Sequence, residues 1–153
     1  MTTDLAEVSG PAVLRDARSG EFFDAAAADQ LAIRRCTRCH HAFSPEARTC
    51  TACGSSDLSW DSATGAATLV SWAVVHHPPH PDFAEQVPFP IGLVELTEGP
   101  WINARIVGAN PADLRAGLPL RVAFIHPETG DSYPVFRIDR QNASEVPEAC
   151  TSE

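Results

Sequence analysis

Positive charge is scarce in this sequence: 11 Lys+Arg stand against 20 Asp+Glu, a formal net charge of −9. Binding along a phosphate backbone relies on clustered Lys and Arg. No such cluster occurs, so long nucleic acid is disfavoured as a partner. Long apolar runs are also missing. No stretch approaches the roughly 18 apolar residues that read as a membrane-spanning helix, which argues against a membrane association. The opening "MTTDLAEVSGPAVLRDARSG" carries Asp4 and Glu7 and no apolar run. A secretory signal needs a basic start followed by roughly 7 to 15 apolar residues, so the expected location is the cytoplasm. Hydrophobic residues nonetheless make up 44% of the 153 positions, too many for a disordered chain. That is enough for one ordinary domain, or for a small module beside a barrel of about 80 residues.

Cysteine is sparse but patterned. Four of the five cysteines fall in "RRCTRCHHAFSPEARTCTACGSSD", residues 34–57. Its left end, Cys36-Thr37-Arg38-Cys39-His40, is a C-x-x-C-H, the pattern that attaches a c-type haem. The whole stretch holds two C-x-x-C pairs, Cys36/Cys39 and Cys50/Cys53, in the spacing of a zinc ribbon. Covalent haem attachment follows export, for which the N-terminus offers no signal, and it leaves the second pair without a purpose. In a reducing cytosol paired cysteines argue for metal rather than disulfides. We therefore expect Zn2+ on Cys36, Cys39, Cys50 and Cys53. The intervening "HHAFSPEART" is long enough for a short hairpin that turns at Ser44-Pro45-Glu46, where Pro presets the backbone angle. With four cysteine ligands no coordination position stays open for water, so the expected zinc is structural. The iron of a rubredoxin-like site and a redox dithiol are the alternatives for the same sulfurs. Arg35, Arg38 and Arg48 flank the thiolates and would offset part of their charge. Cys150, in the polar tail "SEVPEACTSE", has no assigned role.

Around this motif the chain divides readily. Residues 1–18 read as a loose N-terminal arm. Residues 19–35, "SGEFFDAAAADQLAIRR", read as a helix with Ser19 as a cap and a four-alanine run. Phe22 and Phe23 are adjacent and do not both face one core squarely, which leaves one of them for a docking surface. The ribbon spans 36–60. From residue 64 the period becomes two: "AATLVSWAVVHH" sets Val70, Trp72 and Val74 on one face, "WINARIVG" sets Ile102, Ala104 and Ile106, and "LPLRVAFIH" sets Leu120, Val122 and Phe124. "NPADLRAG", with Asn110 as cap, Pro111 at the first position and Gly117 at the end, reads as one short helix. Three strands, a helix and two strands suit a five-stranded OB barrel over 64–140, followed by a polar tail at 141–153. The expected fold is mostly β with an N-terminal helix, a rubredoxin-like four-cysteine zinc ribbon and an OB-fold domain.

That order resembles the DUF35 family, the zinc-ribbon OB-fold proteins associated with acyl-CoA metabolism. The resemblance covers roughly residues 19 to 140. It rests on "EFFDAAAADQLAIRRCTRC", "CTACG", "VVHHPPHPDF", "PFPIGLVELTEGPWINARIVG", "LRAGLPLRVAF" and "YPVFR". It implies a non-catalytic partner of thiolase-like enzymes or lipid-transfer-protein-like aldolases, helping to hold a CoA thioester and to complete the partner. A dimeric partner would make a hetero-oligomer with two copies of each chain. One departure is His40, where the family usually places a small residue, often Gly, after the first knuckle.

The densest catalytic candidate is "HHPPHPDFAE", with His76, His77, His80, Asp82 and Glu85. These types suit acid–base work, but the prolines make an extended loop, and no Ser or Cys nucleophile follows within it. A second metal site and an ordinary binding loop are the other readings, and the binding loop is preferred. In an OB fold the loops at one end and the adjoining face form the usual ligand surface, which makes His76, His77 and Phe83 the candidate CoA or partner contacts. Trp60, Trp72 and Trp101 read as core or interface rather than as base-stacking platforms. The competing functional classes are a nucleic-acid-binding ribbon/OB module, opposed by the charge, and an iron-based redox protein.

Overall fold

A computed structural model describes Leu5 and residues 8–142; Cys150 and the tail from residue 143 lie outside the described residues. The elements are one helix, α1 (Gly20–Ala27), and eight strands: β1 (Leu31–Cys36), β2 (Ala42–Phe43), β3 (Leu58–Ala63), β4 (Ala66–Val75), β5 (Phe89–Leu96), β6 (Trp101–Arg105), β7 (Pro119–Ile125) and β8 (Tyr133–Ile138). They form a three-stranded antiparallel sheet in the order β2-β1-β3 and a five-stranded sheet in the order β6-β5-β4-β7-β8. The second sheet curls until Ile106, just past β6, forms a parallel bridge with Phe136 of β8, where the Val107 N–H donates to the Phe136 carbonyl at 2.8 Å. Closure of the outer strands is what makes the five-stranded sheet OB-like.

The core is continuous across both sheets. Leu31 and Ile33 of β1 join Leu69, Val94, Leu96, Ile106, Leu120 and Phe136 of the barrel in one buried cluster. A second cluster, with Val107, Ala123, Ile125 and Val135, covers the opposite face of β7 and β8. The faces expected for β6 and β7 are present: Ile106 and Leu120 are buried, and Ile102, Ala104, Val122 and Phe124 pack beside them.

Four expectations need correction. The helix does not run from 19 to 35. Ala28 caps it, Asp29 adopts a left-handed φ of 58°, and the apolar triplet Leu31-Ala32-Ile33 leaves for the sheet. There β1 pairs with β3 from Leu31↔Ala63 to Cys36↔Leu58, since tertiary burial outweighs local helix propensity. The ribbon sheet consequently extends from 31 to 63 rather than 36 to 60. Nor is the arm loose over residues 8–18. Val8 is buried in the second cluster, and the Arg15 side chain spans Asp24 and Asp131 at 2.7 Å each. In β4 the register shifts between Leu69 and Ser71. Ala67 and Leu69 are the fully buried residues of this strand, and the extra residue disturbs the expected Val70/Trp72/Val74 alternation. Finally, "NPADLRAG" forms only one 3₁₀ turn, Pro111–Asp113. Asn110 caps it as expected, accepting the Ala112 N–H at 3.0 Å. Leu114 then turns extended, and Leu114 and Leu118 both enter the core.

Candidate functional site

The four cysteines of the ribbon come from two similar knuckles. In the first, the Cys36 N–H donates to the His41 carbonyl and the His40 N–H donates back to the Cys36 carbonyl, both at 2.9 Å. In the second, the Cys50 N–H donates to Ser55 and the Gly54 N–H to Cys50, both at 2.8 Å. The residue that closes each knuckle is left-handed: His40 at φ 63° and Gly54 at φ 77°. That geometry explains why a small residue or Gly suits this position and why His40 stands out, since a side chain there is strained.

The knuckles bring all four sulfurs within 4.8 Å of one another, with Cys36 and Cys53 at 3.7 Å and Cys39 and Cys50 at 3.4 Å. A tetrahedral zinc with Zn–S near 2.3 Å has sulfur–sulfur edges of about 3.8 Å, so the cluster has the dimensions and donor set for such an ion. The Cys39 N–H directed at Cys36 draws that thiol down, against the opposing effect of burial. In spite of the backbone N–H groups directed at them, Cys39 and Cys53 are pushed up by the contact with Cys50 and by burial. A second observation favours a metal. Between Thr37 and Asp57 only Cys50 and Ser55 are buried, so this stretch has almost no apolar core to hold it. The cluster offers a binding site for a metal ion with no position left over for a reactant. Arg35 adjoins the first cysteine pair. It pairs with Asp61 at 2.6 Å and donates to the His40 carbonyl at 2.8 Å, tying the first knuckle to β3.

The remaining candidates separate. His76 and His77 are exposed at the end of β4. His80 caps the 3₁₀ turn Pro81–Phe83 by accepting the Asp82 N–H at Nδ1, 3.2 Å, which leaves its ring engaged locally. Phe83 is half-buried, 5.8 Å from Phe89 between ring centroids. It lines a cavity of about 420 Å³ with Phe89, Ile91, Arg105 and Tyr133. His76 and His77 do not line it. Phe22 and Phe23 meet edge to face at 5.2 Å and border another cavity, of about 340 Å³, with Arg34 and Trp60. There the Arg34 guanidinium lies 3.9 Å over the Trp60 ring. Trp101 is 52% exposed.

Sequence reasoning missed a further constellation, Ser132–His126–Asp29. His126 Nδ1 lies 2.9 Å from Ser132 Oγ, and its Nε2 lies 2.7 Å from Asp29 Oδ1. Both His126 and Asp29 are largely exposed. The arrangement joins the end of α1 to the β7–β8 hairpin, across 97 positions of sequence, and no local motif announces it.

A four-cysteine ribbon merged into an OB barrel through one core defines the class. Comparison with known proteins agrees and narrows it. Residues 60–124 match the family model for the C-terminal OB-fold domain of ChsH2. A solved structure described as "Ltp2-ChsH2(DUF35) aldolase" superposes with a TM-score of 0.71 at 34% identity, covering 81% of this chain and 96% of that one. A probable enoyl-CoA hydratase alpha subunit of Thermomonospora curvata is 36% identical over 127 residues, 83% of this chain and 39% of the relative. A DUF35 domain-containing scaffold protein of Pyrococcus furiosus is 28% identical over 82 residues, 54% of this chain and 60% of the relative. This chain thus spans less than two thirds of either curated relative, 39% of one and 60% of the other. It belongs to the DUF35 family. No described helix is long and apolar enough to cross a membrane.

Proposed function

We propose that this chain is a non-catalytic accessory subunit of a thiolase-like acyl-CoA enzyme, either a thiolase or an aldolase acting on lipid or steroid side chains. The observation that carries the reading is the match along 96% of a solved chain described as belonging to an Ltp2-ChsH2(DUF35) aldolase. The hydratase-subunit and scaffold names of the curated relatives support the accessory-subunit part of the reading. In this reading Cys36, Cys39, Cys50 and Cys53 hold a structural Zn2+, which fixes knuckles that have little core of their own. Phe83, with His76 and His77 on the same loop, supplies contacts to the CoA thioester or the partner. In this reading the chemistry falls to the partner, in a cytoplasmic hetero-oligomer with two copies of each chain.

The test is a tagged pull-down from the native organism, sized by gel filtration and identified by mass spectrometry. Recovery of a thiolase-like protein at equal stoichiometry is the expected outcome. Recovery of the chain alone, or with RNA in a salt-sensitive complex, would overturn the proposal.

A further inference from the structure

Arginines with a clear structural job in this protein sit against carboxylates: Arg15 on Asp24 and Asp131, Arg35 on Asp61, Arg121 on Asp139. Arg105 does not. It closes β6 opposite Ile91, half-buried, and no carboxylate pairs with it among the described residues. Its Nη1 donates to Gln86 Oε1 at 2.7 Å. Its Nε is enclosed and finds no partner, and its guanidinium carbon lies 4.2 Å above the Phe89 ring. Burial pulls its pKa below the ordinary arginine value, as expected for a cation stripped of water without a compensating anion. Asp82 and Glu85 border an adjoining cavity that Arg105 also reaches, but neither forms an ion pair with it, and Asp82 lies 3.5 Å from His80.

This unpaired cation stands at the wall of the 420 Å³ cavity lined by Pro79, Phe83, Phe89 and Ile91. The volume is of the order of a small-molecule site, about 300–1,000 Å³. Among the described residues Arg105 is the only cation lining it, and Asn103 and Tyr133 are neutral. One guanidinium at the wall of an apolar chamber balances a monoanion, whereas a phosphate monoester at about −1.5 to −2 near neutral pH would be left undercompensated. Ile91, 38% exposed, extends the apolar wall outward, where a chain could run.

We infer that this cavity binds a free carboxylic acid with an apolar body, its carboxylate paired with Arg105 and its chain lying between Phe83, Phe89 and Ile91. The ligand is distinct from the thioester of the accessory-subunit reading, because a thioester carries no charge at the acyl end for Arg105 to pair with. Nothing in the argument requires the partner enzyme.

The experiment is calorimetric titration of the full chain with octanoate, octanamide and octyl phosphate. Octanoate is expected to bind about tenfold or more tightly than octanamide, the difference a charge-assisted hydrogen bond makes. Octyl phosphate should be weaker than octanoate. Arg105→Gln should bring octanoate down to the octanamide level. Ile91→Ala, at a surface position, should weaken both ligands together without lowering the melting temperature. Equal binding of octanoate and octanamide, no binding of either, or a preference for octyl phosphate would overturn the inference. The ligand comparison uses the unmodified protein, so it stands even where Arg105→Gln folds poorly. Pull-down of the partner enzyme reads the accessory-subunit proposal separately.

Discussion

Cys50→Ser offers the sharpest test of how the ribbon is held. Cys50 is 1% exposed and opens the second knuckle. Replacing one of four thiolates removes most of the metal's grip, and structural zinc supplies an apparent folding energy of about 10–16 kcal/mol in small zinc modules. The two ends of the ribbon should respond differently. From Thr37 to Asp57 nothing apolar is buried except the ligand Cys50 itself, so this stretch loses its only strong restraint. Leu31 and Ile33, at 2% and 0% exposure, are anchored in the barrel core, and full burial of two such side chains is worth about 3–6 kcal/mol. The variant should therefore release its zinc and open from 37 to 57 while β1 and β3 stay paired nearest the barrel. Metal analysis should fall from about one zinc per chain, the capacity of a single four-cysteine site, to none. Hydrogen exchange read by mass spectrometry should show loss of protection at Thr37, His40, Cys50 and Gly54, whose amides are all bonded in the intact knuckles. Peptides covering 31–35 and 58–63 should remain protected. If those peptides exchange as fast as the knuckles, the shared-core argument is refuted. If the knuckles stay protected without metal, the cluster is not what holds them.

Three further outcomes are expected. Gly92→Ala should destabilise the barrel by about 1–3 kcal/mol through overpacking, because a Cβ there would lie 2.9 Å from both the Ile106 and Leu69 Cδ1 methyls; a thermal melt within error of the parent would contradict this. Gly54→Ala should lower stability by about 1 kcal/mol for conformational reasons alone, since φ is +77° and a Cβ would meet nothing within 4 Å, and an unchanged melt would show that the second knuckle tolerates strain. The Asp131 carboxyl is held below its ordinary 3.8 by the Arg15 guanidinium, so its contribution is present above the unfolded value and is lost as pH falls through the lower folded one. Asp131→Asn should therefore be less stable than the parent at neutral pH, with the gap closing in acid; a gap that is constant with pH would remove the ion pair as its cause.

The parts that were legible from sequence were those in which local chemistry and tertiary structure agree. The C-x-x-C pairs specify their own turns, so the four sulfurs converge as the spacing implied. Alternation in β6 and β7 reports burial directly, because one face of each is packed in the core. Legibility failed where a distant partner outweighed a local preference. "DQLAIRR" follows an alanine-rich helix and continues its composition, yet β3, more than twenty residues later, draws Leu31–Cys36 into a sheet. The polar arm gave no sign of docking, because its anchor is an ion pair between Arg15 and Asp131, 116 positions apart. His76, His77 and Phe83 are candidates through their place in a loop at one end of the expected OB fold. The structure keeps Phe83 at a cavity and leaves the two histidines at the surface, while Arg105, which sequence reading passed over, lines that cavity from another strand.

The core that runs from β1 into the barrel also bears on how such proteins can be recombined. A crossover placed between the last cysteine and the first barrel strand looks safe on a linear map, but it would separate Leu31 and Ile33 from Leu69, Val94 and Leu96, the side chains they pack with. Hybrids made that way should express poorly even when both parents are stable, because each half would bring a surface shaped for its original companion. The smallest transplantable cassette among the described residues is therefore 8–138, docked arm, helix, ribbon and barrel together.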